Sequence, residues 1–397
     1  IMTNNKDKKV LNVPNLRFPE FTDKWEAGKL EEYILLVSGQ DLSSEQYTDK
    51  EDVYPYITGA SSLNSEGIIL NRWTHTPTQI VKRGDILLVC KGSGVGQLTV
   101  LSNVDKAHIA RQIMGIRAKN TESQLFIYHY LSRLMTELKK RSTGIIPGID
   151  RKSILSLHIS IPSLQEQQKV AELLSLIEQR IITQNKIIKK LQSLIKGIIV
   201  SHYSTTAHTI KVKIRELGEA YSTMVMSKEQ LTNDGNLCIF YGELFTLYGC
   251  VIDKVKSRTS LEKVSSTLSH GRDLLFPAST TVDAVSLIAP SALMQKGIIL
   301  GGDMFGIKVS EAYNPIYLSY YFNYIANKRL AKYAKGTTII HLHYNEIANV
   351  AIELPNIEEQ DKIVSTILEY SAKLSIEETI LEKLFDLKQY LLKQLFI

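Results

Sequence analysis

Apolar residues recur along this chain with two different periods, and the change of period marks its elements. Leu174, Ile177, Ile181, Ile188, Leu191, Ile195 and Ile198 fall on alternating three- and four-residue steps, with Gln184 as one polar interruption. That spacing predicts a long helix carrying a coiled-coil seam. A second run has the same rhythm: Ile367, Tyr370, Leu374, Leu381, Leu384 and Leu391, with Glu377 standing where Gln184 did and Lys388 opposite Ile195. Pro162 and Pro355 lie just ahead of the two runs, where a missing N–H and a fixed φ suit helix entry. Upstream the pattern is shorter and β-like, as at residues 85–90 and 297–300, and is broken by Gly/Ser/Thr loops. Residues 125–140 and 315–333 carry Tyr, Leu and Phe at helical spacing, and strand-like runs at 157–161 and 350–354 lead into the long helices.

These elements come twice because the chain is a tandem duplication. Ile161-Pro162-Ser163-Leu164-Gln165-Glu166-Gln167-Gln168-Lys169-Val170 matches Leu354-Pro355-Asn356-Ile357-Glu358-Glu359-Gln360-Asp361-Lys362-Ile363 at an offset of 193 residues. The offset holds downstream, where Lys190-Leu191 meets Lys383-Leu384. Further back the register drifts: Met114-Gly115-Ile116-Arg117 resembles Phe305-Gly306-Ile307-Lys308, and Gly84-Asp85-Ile86-Leu87 resembles Arg272-Asp273-Leu274-Leu275. Two matched seams in one chain can pair with each other, which favours paired helices over two amphipathic helices each packed on its own domain.

Composition narrows the class. At 397 residues the chain is too long for one typical core, and 44% hydrophobic with 22% charged residues excludes disorder. Cys90, Cys238 and Cys250 are too few and scattered for a zinc cluster or a disulfide framework, which points to a reducing cytoplasm. No signal-like or membrane-spanning apolar run is evident, so a soluble protein is expected. The net charge of +6 is modest; gathered on one face it would suit DNA.

The whole layout resembles the specificity (S) subunit of type I restriction-modification systems. The resemblance rests on the twin Pro-x-x-x-Glu-Gln-x-Lys helix openings, on Gly84-Asp85-Ile86-Leu87-Leu88-Val89-Cys90-Lys91-Gly92-Ser93-Gly94-Val95-Gly96, and on His108-Ile109-Ala110-Arg111-Gln112-Ile113-Met114. The second half departs from it where Ala278-Ser279-Thr280-Thr281 replaces the Lys-Gly-Ser-Gly loop. The resemblance implies an α+β chain: two similar α/β target-recognition domains separated by two long helices that form an antiparallel coiled coil with pseudo-twofold symmetry. The segments would be 1–160 for the first domain, 161–207 for the first spacer helix, 208–353 for the second domain and 354–397 for the second helix. It further implies a non-catalytic subunit without a cofactor of its own, binding a bipartite double-stranded DNA site. Its partners would be two modification subunits, which carry S-adenosylmethionine and methylate adenine, and restriction/translocase subunits. Two alternatives stay open at this point: an autonomous DNA adenine methyltransferase, and a coiled-coil scaffold without DNA specificity.

Base readout needs forked donors or amides, and phosphate contact needs Lys, Arg or hydroxyls. On that chemistry the candidate DNA contacts are Lys91, Ser93, Arg111, Gln112, Arg141 and Thr143 in the first half, and Lys335, Thr337, Thr338 and His341 in the second. Tyr54, Tyr56 and Thr58 are weaker candidates, since tyrosines at alternate positions more often pack on a sheet. Gly92-Ser93-Gly94-Val95-Gly96 imitates a dinucleotide-binding loop, but its third glycine would fall at Gln97. Asn314-Pro315-Ile316-Tyr317 imitates an adenine-methyltransferase motif and is better read as a helix entry. His341 and His343 lack a third metal ligand at recognisable spacing, so a satisfied or DNA-facing pair is expected.

Overall fold

The computed structural model describes residues 3–4, 12–64, 67–119, 121–141, 148–206 and 208–397, without the side chains of 3–4 and 137–141. In the first half the strand Ile86–Val89 is inaccessible on both faces, which is why it is apolar at every position instead of alternating. It pairs antiparallel with Leu98–Val100 on one side and with Ile113–Ala118 on the other, and the latter pairs with Ile34–Ser38. Successive side chains of a strand point to opposite faces. Ile86 and Leu88 accordingly join Trp25, Phe126 and Ile127, whereas Leu87 and Val89 join Ile57, Val81, Ala107 and Ile109. A second sheet closes the latter core, and its central strands, Tyr54–Ile57 and Lys106–Ile109, run parallel.

The second half repeats this topology. Asp273–Pro277 takes the place of Ile86–Val89, flanked by Ser291–Leu293 and Met304–Val309, with Gly218–Ser222 beyond. The parallel pair recurs between Asn236–Phe240 and Lys296–Gly301. The β-like run at 297–300 is therefore the counterpart of Lys106–Ile109, not of residues 85–90.

The aspartate opening the central strand does the same job twice. Asp85 Oδ2 accepts the Lys82 N–H at 2.7 Å, and Asp273 Oδ2 accepts the His270 N–H at 2.7 Å. The side chains that meet each buried carboxylate differ. Arg117 donates to Asp85 through two bonds of 2.6 Å. Asp273 instead takes the Tyr221 hydroxyl at 2.5 Å and lies 3.0 Å from His270 Nδ1. Burial, and next the Asp273 carboxylate, push the Tyr221 phenol far above its ordinary range.

Each half then adds a short helical stretch, Gln124–Arg141 or Pro315–Tyr321 with a wider turn at Phe322–Ala326, and a strand, His158–Ile161 or Ala351–Leu354. The long helices follow at Leu164–Thr205 and Ile357–Gln394. Their shared opening motif is a packing device. Gln167 Nε2 donates to the Pro162 carbonyl and its Oε1 accepts the Ser123 N–H, both at 2.9 Å. Gln360 does the same with Pro355 and Asn314, again at 2.9 Å. A buried amide satisfied at both ends holds the short helix to the long one.

The chain divides into two compact units, residues 1–186 with 378–397, and residues 187–377. Each unit takes part of both long helices. In the first unit Leu174, Ile177 and Ile181 share a core with Leu391 and with the half-buried Leu381 and Leu384. In the second, Ile195, Ile199 and the half-buried Ile198 share one with Ile367, Tyr370 and Leu374. Early first helix with late second, and late first with early second, is the pairing of antiparallel helices. Ile188 and Leu191 are buried as the seam predicts, and so is Gln184, its polar interruption. The helix ends repeat as well: Phe396 packs 5.1 Å from Tyr130 in the first unit, and Tyr203 packs 5.4 Å from Tyr321 in the second.

Candidate nucleic-acid interface

In the first unit, the chain leaving the central strand enters a tight turn at Lys91. Gly92 and Gly96 adopt φ of +87° and +81°, a region that glycine alone enters without strain. Gly96 N–H returns to the Val89 carbonyl at 2.8 Å, and Leu98–Val100 follows directly, so the Gly-Ser-Gly segment is a hairpin with no phosphate-binding helix behind it. Lys91 and Ser93 are exposed. Beside them Cys90 N–H donates to the Gln112 carbonyl at 2.8 Å, and Ile149 N–H to the Cys90 carbonyl at 2.8 Å. These bonds bring Lys91, the exposed Gln112 and Gly148 to one edge; a β-carbon on Gly148 would stand 3.6 Å from Lys91 Cγ. Arg111 lies next to Gln112 but is already engaged. Asp41 accepts its backbone N–H at 3.0 Å and pairs with its guanidinium at 2.8 Å. Arg141 ends its helix, while its side chain, Ser142 and Thr143 lie outside the described residues.

The second unit builds the same edge from other side chains. Ala278 N–H donates to the Asp303 carbonyl and Leu342 N–H to the Ala278 carbonyl, at 2.8 and 2.9 Å, so Asp303 takes the place of Gln112. Ala278-Ser279-Thr280-Thr281 is not simply a divergent loop: Ser279 and Thr280 form a short strand paired with His341 and Ile340. Lys335 and His341 exchange backbone bonds of 2.9 and 2.7 Å and so close a hairpin with the exposed Thr337 and Thr338 at its tip. Gly336 has a φ of +117°, and a β-carbon there would collide with the Ile339 carbonyl. Lys335 Nζ reaches Glu346 at 2.9 Å, His341 Nδ1 lies 3.7 Å from Asp303, and the His341 and His343 rings stack 6.1 Å apart. Three concavities, of about 940, 830 and 550 Å³, surround these residues.

The remaining candidates are half-buried or buried. Tyr56 is buried beside Leu42 and Ala110, with its hydroxyl accepting the Leu42 N–H at 3.2 Å. Thr58 bonds Ser62, and Tyr54 is half-buried. His108 is wholly buried, with Nε2 2.8 Å from the Gln40 carbonyl and Nδ1 accepting from Thr78 and Gln79. Burial pushes its pKa down. Asn314 caps its helix by accepting from Ile316 and Tyr317, so Pro315 is an entry proline and Tyr317 a core residue. Asp41 and Asp303 were missed from sequence. Asp303 had a signal: the match of Met114-Gly115-Ile116 to Phe305-Gly306-Ile307, continued two residues back, sets it against Gln112.

Among the described residues no three metal-ligating side chains converge, and no helix is long and apolar enough to cross a membrane.

Comparison with known proteins agrees with the duplication of the chain. The family model described as type I restriction modification DNA specificity domain matches residues 22–193 and again 209–385. The specificity subunit of the type I restriction enzyme MjaVIII of Methanocaldococcus jannaschii is 24% identical over 390 residues, which cover 91% of this chain and 88% of that protein. The S subunit of the type I restriction-modification system of M. genitalium superposes with a TM-score of 0.61 at 15% identity, over 97% of this chain and 99% of that one. A chain from a structure addressing complex assembly and conformational transition of the type I R-M system gives 0.55 at 15% identity, over 93% and 96%. These two likenesses speak for the fold alone. The family model covers most of the chain, once per repeat, and the chain belongs to the type I restriction-modification DNA specificity family.

Proposed function

We propose that this chain is the DNA-reading, non-catalytic subunit of a type I restriction-modification complex in the cytoplasm. Each unit binds one half of a bipartite, asymmetric duplex site. Two modification subunits carrying S-adenosylmethionine methylate adenine there, and restriction/translocase subunits join them. The reading rests on one observation above all. A single strand edge occurs twice with the same backbone bonds, bearing Lys91, Gln112 and Gly148 in one unit and Ser279, Asp303 and His341 in the other. Similar scaffolds with exchanged side chains suit two different half-sites, since backbone contacts position a protein on DNA and side chains specify the bases. The use of Asn314 as a helix cap supports leaving methyl transfer to a partner.

Co-expression with the modification subunits in a host without adenine methylation, followed by mapping of methylated adenines, should give a split, asymmetric motif. Lys91→Ala together with Gln112→Ala should relax one half of it, at a cost of about 1–3 kcal/mol per lost base contact. A motif without a spacer, or an assembled double variant whose motif is unchanged in both halves, would overturn the proposal.

A further inference from the structure

Gln112 and Asp303 occupy one backbone position in two copies of the same edge, yet one offers an amide and the other only acceptors. The turn that presents Asp303 is fixed from several sides. Thr223 Oγ1 lies 2.9 Å from the carbonyls of both Gly302 and Met304, and the Gly302 N–H donates to the Met224 carbonyl at 3.0 Å. Gly302 has a φ of +94°, and a β-carbon there would press on Tyr241. The side chain is 41% exposed and borders all three concavities. Its nearest ionic neighbour among the described residues, His341 Nδ1 at 3.7 Å, is beyond hydrogen-bond distance.

A rigidly presented, exposed carboxylate on a DNA-facing edge is repelled by phosphates. It becomes favourable where a base supplies a donor. In the major groove those donors are the exocyclic amino groups, and a carboxylate pairs best with N4 of cytosine. We propose that Asp303 is a base-reading residue of the second unit, its carboxylate accepting from the amino group of a cytosine in the half-site bound there. The proposal rests on the chain being a DNA specificity subunit. It assigns different base chemistries to the two halves at one structural position: an acceptor for an amino group at Asp303, a two-way amide at Gln112.

The test uses the full chain assembled with its modification subunits, with methylated adenines mapped for wild type, Asp303→Asn, Asp303→Ser and His341→Ala. Failure of the underlying reading would show in the wild type, as the absence of any split motif. Given a split motif, Asp303→Asn should relax a single position in one half, one occupied by cytosine on one strand. Discrimination there should fall about ten- to a hundredfold, with the other half unchanged. Asp303→Ser, which removes the acceptor pair without added bulk, should relax the same position, and it carries the test if the asparagine variant melts lower than wild type. His341→Ala should lower methylation at the site while keeping the cytosine preference. The proposal is overturned by an unchanged motif in both Asp303 variants, by relaxation spread over both halves, by loss of methylation at every sequence, or by a His341→Ala variant that reproduces the relaxation.

Discussion

At matched positions where the long helices meet the short one, the first unit carries a set with charges, Lys388, Glu178 and His129, and the second an uncharged one, Ile195, Ser371 and Tyr320. In the first, Lys388 sits on the seam and its Nζ lies 2.6 Å from Glu178 Oε1. The Tyr128 hydroxyl donates to the same oxygen at 3.4 Å, and the wholly buried His129 stands beside them with Nε2 3.2 Å from Ser175 Oγ. In the second, the repeat places Ile195 for Lys388, Ser371 for Glu178 and Tyr320 for His129, and the Tyr320 hydroxyl lies 3.3 Å from Ser371 Oγ. The two repeats differ at these positions as a set. A lone lysine at an apolar seam would carry a large desolvation penalty, so it persists only opposite a carboxylate. The helix openings differ in the same way. Glu166 is buried against Arg17, at 2.8 and 2.7 Å, and the Trp25 indole donates to it at 3.2 Å. Its counterpart Glu359 has an Oε2 without a hydrogen-bond partner among the described residues.

The largest effect should separate the units at that opening. Arg17 and Glu166 are both about 95% or more buried, so Arg17→Met leaves a buried carboxylate without its cation. It should destabilise the first unit by roughly 3–5 kcal/mol. Adding Glu166→Gln should recover much of that loss. Glu359→Gln should shift the second unit by less than about 1 kcal/mol, since no cation is orphaned. Hydrogen exchange of amides in His158–Ile161 and Ala351–Leu354, followed in urea, reads the two units separately. Equal losses from Arg17→Met and Glu359→Gln would break the comparison.

How much of this was legible in the sequence depended on range. The seam residues, the repeat and the helix openings are local patterns, and the structure places them as the spacing predicts. Pairings between distant segments carry no local period. Nothing in Tyr54-Pro55-Tyr56-Ile57 announces a parallel partner at Lys106–Ile109, and that pairing is what buries Tyr56. The candidate edge was half legible for the same reason. Side-chain chemistry singles out Lys91, Gln112, Lys335 and His341 as candidates, but Asp41 on Arg111 and Glu346 on Lys335 are partners that only the fold supplies.

A middle-sized effect should come from transplanting one seam into the other. Lys388→Ile alone gives the first unit the residue of the second but strands Glu178, and should cost about 1–3 kcal/mol. Lys388→Ile with Glu178→Ser copies both members of the second unit's set and should recover most of that cost. A positive coupling energy in this double-mutant cycle, measured by denaturant unfolding of the full chain, is the expected result. Simple additivity would mean that the two charges do not act as a set.

The smallest effect is a pH dependence confined to the charged seam. Burial foremost, and then Lys388, push the His129 pKa from 6.5 down to about 3. Glu178, 3.9 Å from Nδ1, does not reverse this. His129 is therefore neutral in the folded unit at every mildly acidic pH, while the unfolded chain takes up a proton as the pH falls through 6.5. Because the unfolded state then binds more protons, stability is lost as the pH drops from 6.5 toward 3, and none is lost on this account above 6.5. Between pH 7.5 and 5.5 the loss should be about 1 kcal/mol. Carboxylates and other histidines titrate over the same range, so the informative quantity is the difference between wild type and His129→Asn, which keeps a polar group beside Ser175 without a titrating one. That difference should move in favour of the variant as the pH is lowered. It should also shrink in a Lys388→Ile background, where one of the two causes of the depressed pKa is gone. A difference that stays constant from pH 7.5 to 5.5 would mean that His129 takes up its proton over the same pH range in the folded and unfolded states, with Glu178 offsetting its burial; a difference moving in favour of wild type would mean that Glu178 outweighs it.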